Sequence, residues 1–449
     1  MTAVTRRMLA ASPAVLAGLA AAACGTAGGG SPVPVAQKRS VKLRYTTFWN
    51  QQRLDVIAPA IRQFEQESGH QVSMEPVTNY AEKLVVEFVS GTAADVPHAN
   101  NTVMPKLFDQ NMILDATPYV KRDKINLQRD YGLMGQEFWD GKILTMPYVL
   151  SPHAWYYNKT ALKEAGAPDP WEKFNGKLTW DDFLNIARMT TRPAAGDRPA
   201  RWGVWLRYDD IEYQLAGFIW SNGGRAHDYS TMKYMMDQPK SIEAVKWVSD
   251  LLQRHKVMPS LAQVKELSDA GLKHPFQDGR AAMFEDSTGQ LNPLVTNVKD
   301  FEWDVFPIPQ VSKGGPPPVT YTSGDPNCVN ASTDKKDEAW LFVKWLAGPA
   351  VQDLIGRTKL LTPALISAAG DPRGYASPPP AHIKVFSDVF KGKVTRRFFH
   401  HESAQGLNVF RGWIRRAFDG EIAVEQALRE ATREANQIIF WKTKPTFPE

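Results

Sequence analysis

Residues 41–77 read VKLRYTTFWNQQRLDVIAPAIRQFEQESGHQVSMEPV. The first nine alternate and are rich in β-branched and aromatic side chains, which predicts a strand over 41–49. The period then changes. Leu54, Ile57, Ile61 and Phe64 recur at three- and four-residue steps, one stripe of a helix over 54–68, and Gly69 supplies a stop. Residues 70–77, HQVSMEPV, are extended again. Strand, helix and strand in so short a stretch predict a right-handed βαβ unit in a parallel sheet.

Toward the C-terminus the alternation continues. A helix is expected over 80–90, a short strand over 94–96 and another helix over 104–110. Thr179 caps a helix over 180–190, with Asp181 and Asp182 in its first turn, where carboxylates suit the helix dipole. Residues 241–255 carry Ile242, Val245, Val248, Leu251 and Leu252 on one face. Residues 337–346 and 424–439 are amphipathic too. The fold class is α/β. There is no internal repeat of 20–50 residues and no coiled-coil heptad.

Toward the N-terminus lies a different kind of segment. Residues 25–40, GTAGGGSPVPVAQKRS, have no apolar period and read as a flexible tether over 24–40. Residues 1–24 read MTAVTRRMLAASPAVLAGLAAAAC. A basic start, a short apolar core and a small-residue cleavage site make an export signal over 1–23. The uncharged run over 8–23 is shorter than the ~20 residues needed to cross a bilayer. The segment resembles a bacterial lipoprotein signal, in which Cys24 becomes the lipidated N-terminus. Arg6-Arg7 also resembles a twin-arginine export motif. An ordinary secretory signal is the alternative.

Composition narrows the classes. The net charge is +5, and without Arg6 and Arg7 it is +3, too mild to imply nucleic-acid binding. Hydrophobic residues make up 43% of the chain, enough for sizeable cores, and its length suggests two or three domains. There are two cysteines. With Cys24 lipidated, Cys328 has no disulfide partner and reads as a small buried hydrophobe. The chain holds 14 Trp and 13 Tyr, an excess that fits sugar rings stacking on aromatic planes.

Several segments then fall in a particular order: GKILTMPY at 141–148, YYNKTAL at 156–162, KEAG at 163–166, LTWDDF at 178–183, NGG at 222–224, FQDGRAAM at 276–283 and EAWLFVKWL at 338–346. This ordered set resembles the extracellular solute-binding proteins of ATP-binding-cassette importers, family 1, the carbohydrate-binding group that includes maltose-binding protein. The resemblance covers roughly residues 41–440. It implies a two-lobed periplasmic-binding-protein fold of type II, each lobe a mainly parallel sheet flanked by helices, with a sugar in the cleft between them. The N-lobe would hold 41–150 and 326–358, and the C-lobe 151–322 and 359–449. Crossings would fall near 150–152 and 321–325. Implied partners are a carbohydrate, the ABC permease subunits and the membrane through the lipid. No cofactor, metal, catalytic residue or nucleic acid is implied, and a monomer anchored outside the cell is expected.

The carboxyl edge of an open α/β sheet is where ligands bind. Trp49 in the first βα turn could stack on a sugar, with Asn50, Gln51 and Gln52 bonding hydroxyls. Trp49 could instead cover the core. Asn100 and Asn101 follow the 94–96 strand at the same edge, or merely form a turn. At the first crossing stand Ser151 and Trp155, the latter a candidate for packing between lobes. The second lobe offers Tyr213 and Trp220 before the NGG loop, and Glu285 and Asp286 after the GRAAM run. Tyr321, Ser323 and Gly324, with Asp325, mark the second crossing. His400-His401-Glu402 fails as a metal site, because adjacent histidines diverge on any regular element.

Two other functions compete. An exported glycosidase needs two carboxylates about 5–10 Å apart, and Asp209, Asp210, Glu212, Glu285 and Asp286 are available. No G-x-S-x-G, H-E-x-x-H, P-loop or G-x-G-x-x-G motif is present. The ligand could also be another polar solute, such as glycerol phosphate or a polyol. A phosphate would call for clustered arginines, and only Arg53 and Arg225 lie near candidate loops.

Overall fold

The computed structural model describes residues 40–438, apart from 100–103, 134–136, 210–213, 229–230, 232, 273, 316, 390–393 and 397–402. Cys24 and the segments before and around it lie outside the described residues.

The opening βαβ unit is present. Strand Lys42–Thr47 pairs in parallel with Gln71–Pro76, Lys42 opposite Gln71 and Thr47 opposite Pro76. Its other edge pairs in parallel with the short strand Val96–Pro97. The intervening helix, Gln51–Ser68, starts earlier than its apolar stripe. Asn50 caps it by accepting from Arg53 N, and Gly69, at φ 75°, ends it in the left-handed conformation that glycine adopts without strain. Leu54, Ile57, Ile61 and Phe64 are buried. They pack into a first core with Leu43, Tyr45, Trp340 and Phe342. Trp340 and Phe342 belong to helix Lys336–Leu346, so the chain returns to this core after a long excursion. Leu360 and Leu361 also belong to the first core.

A single strand carries the chain between cores. Met146–Asn158 is thirteen residues long and buried throughout. At the rise of an extended chain it spans about 43 Å, enough to run through two hydrophobic layers. Its first half pairs antiparallel with Thr320–Asn327, with Thr322 opposite Pro152, Ser323 opposite Ser151 and Asp325 opposite Val149. The short strand Thr362–Pro363 also pairs here, with Leu150 and Val149. The second half pairs with Ala281–Ser287 and Trp303–Phe306.

Alternation along that second half fills two further layers. Trp155 and Tyr157 enter a second core with Val204, Phe218, Val245 and Met283. Ala154 and Tyr156 point the other way, into a third core with Phe276, Phe284 and Phe386. Side chains of a strand alternate between faces, so this sheet is covered on both. Helices Ser403–Phe418 and Val424–Ile438 close the second core through Phe410, Ile414 and Leu428. The Thr179 cap is a full capping box, with Asp182 reaching back to the Thr179 backbone. Cys328 is a free, buried thiol whose Sγ lies 3.4 Å from the Pro97 carbonyl oxygen, and burial pushes its pKa up.

Candidate functional site

The carboxyl edge of the parallel sheet meets the paired crossing strands near Trp49. Thr47 Oγ1 fixes this corner, accepting from the Trp49 backbone N–H at 3.0 Å and bonding His98 Nδ1 at 2.7 Å. Burial pushes His98 down to about 3, helped by the nearby Arg53 charge, so its ring is neutral at any ordinary pH. Trp49 is only 1% exposed. Its face lies on Tyr148, ring centroids 5.1 Å apart and planes at 29°. The expected stacking role for Trp49 is therefore corrected: Tyr148 already occupies that face, and the indole covers the core.

What Trp49 does is support a charge. The Arg53 guanidinium sits 5.9 Å from the centre of the Trp49 ring, within cation–π range. Arg53 also lies within range of the charge of Asp325 on the return strand. Each is partly accessible, and each feels the other's charge. Burial pushes the Asp325 carboxyl up to about 7, with Arg53 and the Trp49 indole N–H pulling it back. That N–H is too loosely placed for a hydrogen bond of standard geometry. Burial likewise lowers Arg53. Asp325 is thus crowded by protein yet open to solvent along one side, as a group at the floor of a cleft would be.

Alternation on Thr320–Asn327 puts Tyr321, Ser323 and Asp325 on one face. Ser323 is half-buried and stands opposite Ser151, which is 9% exposed. At the far end Tyr321 is buried, and the half-buried Trp220 lies parallel to it, centroids 6.2 Å apart at 17°. The ribbon therefore runs from an aromatic pair, past two hydroxyls, to a carboxylate within range of a guanidinium's charge. Gly324 alternates to the other face, opposite Leu150.

Other expected residues sit elsewhere. Trp155 is fully buried, its ring packed edge-on against Phe183 at 4.5 Å, and so is a core residue with no face for a ligand. Glu285 is 2% exposed and its Oε1 meets His153 Nδ1 at 2.8 Å, so it is turned inward. Asp286 accepts from its neighbour's backbone N–H and from Gln290 Nε2, and faces Arg207 Nη2 at 3.6 Å. Asn50 gives its side-chain oxygen to the helix cap, and Gln51 donates to Asp55 at 2.8 Å. Gln52 is exposed on the same turn. Asn100, Asn101 and Tyr213 lie outside the described residues, as do His400, His401 and Glu402. Among the described residues no cluster of three or more His, Cys, Asp or Glu side chains could hold a metal, and no helix is long and apolar enough to cross a membrane.

Arg53 was legible only as a cation near a loop. A signal did exist, since it lies three residues past the cap, on the first turn above the sheet edge. Its approach to Asp325 depends on chain return over some 270 positions, which no local pattern encodes.

Solved structures resemble this one over nearly its whole length. The substrate-binding protein of a Listeria monocytogenes ABC transporter, in complex with cycloalternan, superposes with a TM-score of 0.74 at 19% identity, covering 89% of this chain and 99% of that one. A cyclic α-maltosyl-1,6-maltose binding protein from Arthrobacter globiformis gives 0.72 at 18%, with 89% and 99% covered. The maltose/maltodextrin-binding domain MalE from Bdellovibrio bacteriovorus, bound to maltotriose, gives 0.69 at 16%, with 88% and 99% covered. At these identities the likeness establishes the two-lobed fold. No curated protein matches the sequence significantly. Residues 59–379, well over half the chain, match the family profile described as bacterial extracellular solute-binding protein, and the chain belongs to that family.

Proposed function

We propose that this protein captures a sugar or oligosaccharide between its lobes and delivers it to an ABC permease. The observation that carries the proposal is the ribbon face Tyr321–Ser323–Asp325, flanked by Trp220 at one end and Arg53 at the other. It offers an aromatic plane for the apolar face of a sugar and charged and hydroxyl groups for its rim, the division of labour expected of a ligand pocket. Several structures of like fold are described with carbohydrate bound. The lobes are taken to hinge near 150–152 and 321–325, where the crossing strands pair. A ligand touching both sides favours the closed state by its differential affinity for it.

Binding without turnover is the better supported reading. Glu285 and Asp286 are neighbours on one strand, so their carboxylates leave on opposite faces and do not flank a common bond. Asp209 is held by Arg415 at 2.6 Å. The lipid on Cys24 and the 24–40 tether complete the reading, keeping a monomeric binder close to its permease on the outer face of the membrane.

Titration of intrinsic tryptophan fluorescence with maltose, maltotriose, cycloalternan and tagatose tests this, with chromatography of each sugar after prolonged incubation. Saturable change without cleavage is expected. Cleavage of any glycan would overturn the binder reading.

A further inference from the structure

We propose that Arg192, Arg198, Arg201 and Arg280 form a phosphate-binding site on the second lobe, at the end of its sheet away from the ribbon. Strands Trp202–Trp205 and Ala281–Ser287 pair in parallel, with Ala281 opposite Trp202. Arg201 and Arg280 each stand one residue before their strand, at its amino edge. The other end of the second strand, Ser287, lies opposite His153, whose ring meets Tyr321. Extended chain from Ala281 to Ser287 separates the two ends by about 20 Å. The clustered arginines that a phosphate calls for are therefore present, but far from Tyr321 and the ribbon.

Backbone and side-chain contacts draw the four together. Arg192 and Arg201 exchange backbone hydrogen bonds, at 2.8 and 2.9 Å, across a short antiparallel bridge. Residues paired in that way carry their side chains on one face, with Cβ atoms about 5 Å apart. Arg201 is buried and held by three acceptors: Nε donates to the Thr190 carbonyl, Nη2 to the Ala161 carbonyl and Nη1 to Glu164 Oε2 at 3.0 Å. Arg198 Nη2 meets the same Glu164 oxygen at 3.1 Å. Arg280 Nη1 donates to the carbonyl of Ala200, the neighbour of Arg201, at 3.2 Å. Two other carboxylates lie near in sequence. Asp197 is exposed in the hairpin turn, and Asp278 accepts from the His274 backbone N–H at 2.9 Å. Even with both counted beside Glu164, the cations are in excess.

Arg192 is the member left open. Its Nε and Nη1 are shielded from water and meet no hydrogen-bond acceptor among the described residues. Unmet charged donors are costly, and like charges directly opposite on a strand pair destabilise it. Burial and the charges of Arg201, Arg198 and Arg280 push the Arg192 pKa down, against the pull of Glu164. A phosphate removes both costs. Its oxygens accept charge-assisted hydrogen bonds from guanidinium N–H groups, and its charge offsets the repulsion. Arg192 is half-buried at the base of an exposed hairpin, so rotation of its side chain presents these donors to an arriving ligand. The chemistry is that of a free phosphate ion or of a phospholipid headgroup, and the test separates the two.

The test uses the full chain bearing Cys24→Ser, so that no lipid of its own contributes, alone and with Arg192→Gln or Arg280→Gln added. Titration calorimetry with inorganic phosphate is run against sodium chloride of equal ionic strength, since salt alone screens exposed charges. Flotation with phosphatidylglycerol vesicles is run beside phosphatidylcholine vesicles. Saturable binding is expected to phosphate, to phosphatidylglycerol vesicles or to both, weakened about tenfold by each substitution, the effect of losing one charge-assisted hydrogen bond. Phosphate binding identifies the free ion as a ligand, and vesicle capture without it identifies the headgroup. Affinity for the tightest-binding sugar of the panel above should stay within about twofold in all three proteins, because sites so far apart act independently. Circular dichroism of each variant confirms that it is folded. Absence of both phosphate binding and vesicle capture, capture by phosphatidylcholine as strong as by phosphatidylglycerol, or binding undiminished in both folded variants overturns the proposal and leaves the carbohydrate reading standing.

Discussion

His153 Nδ1 meets Glu285 Oε1 at 2.8 Å with both side chains only 2% exposed. The pair joins the crossing strand to Ala281–Ser287 beside Tyr321, whose ring meets that of His153 edge-on with centroids 5.0 Å apart. Gln214 adds a bond to the Glu285 backbone carbonyl at 3.0 Å. Removing one member of a buried pair strands the other. Glu285→Ala is expected to lower stability by about 3–5 kcal/mol. Urea denaturation measures it. A loss of sugar affinity with unchanged stability would instead return Glu285 to the ligand.

Trp220 and Trp155 allow a clean contrast between two tryptophans that sequence alone does not separate. Trp155 is enclosed by Phe183, Phe218 and Phe306. Trp155→Ala should cost about 3–5 kcal/mol of stability through the cavity it leaves. Trp220 is half-buried, near-parallel to the Tyr321 ring and at the margin of the second core. Trp220→Ala should cost little stability but weaken sugar binding by about 2 kcal/mol, the scale of an aromatic hot spot. Thermal melts and titrations on both variants read the two quantities independently. Equal stability losses would place Trp220 in the core.

The same contrast shows what was legible in the sequence. The βαβ unit and the 180–190 helix were readable because their information is local: an apolar stripe of period 3.6, a cap, a glycine stop. Trp49 and Trp155 stayed open between ligand and core because aromatic side chains serve cores and sugars equally well, and only packing partners such as Tyr148 and Phe183 decide between them. Glu285 was a cleft candidate because nothing in the sequence places His153 beside it. The crossing strand was visible as two separate motifs, GKILTMPY and YYNKTAL, yet its continuity over Met146–Asn158 arises from pairing with segments more than a hundred residues away.

Cys24 carries a prediction independent of the lobes. The membrane-anchored reading requires a mature chain starting at Cys24 with acyl groups on it. Mass spectrometry of the native protein should show that N-terminus and mass. Cys24→Ser should release the protein from the membrane fraction while leaving sugar affinity within twofold, since the site lies far along the chain. Retention of the variant in the membrane fraction would remove the anchor.

Asp325 predicts a pH dependence for stability and for binding, with opposite signs. Burial raises its folded pKa to about 7, against an ordinary value of 3.8. Between those values the folded protein holds the proton that the unfolded chain has lost. Stability from this group is therefore complete below the ordinary pKa, declines as pH rises, and is gone above about 7. Asp325→Asn should raise Tm at pH 8, by about 2–4 °C per kcal/mol recovered, and leave it nearly unchanged at pH 4. Sugar hydroxyls, by contrast, donate best to the charged carboxylate. Affinity should rise with pH up to the folded pKa and then level, and the asparagine variant should be flat. A carboxylate kept charged at the expense of stability is the pattern expected where function opposes folding. Titration calorimetry from pH 5 to 8, run on native and variant protein in buffers of different ionisation enthalpy, measures the proton released on binding. A native protein that binds equally well across that range, with no proton released, would mean that the ligand does not meet Asp325.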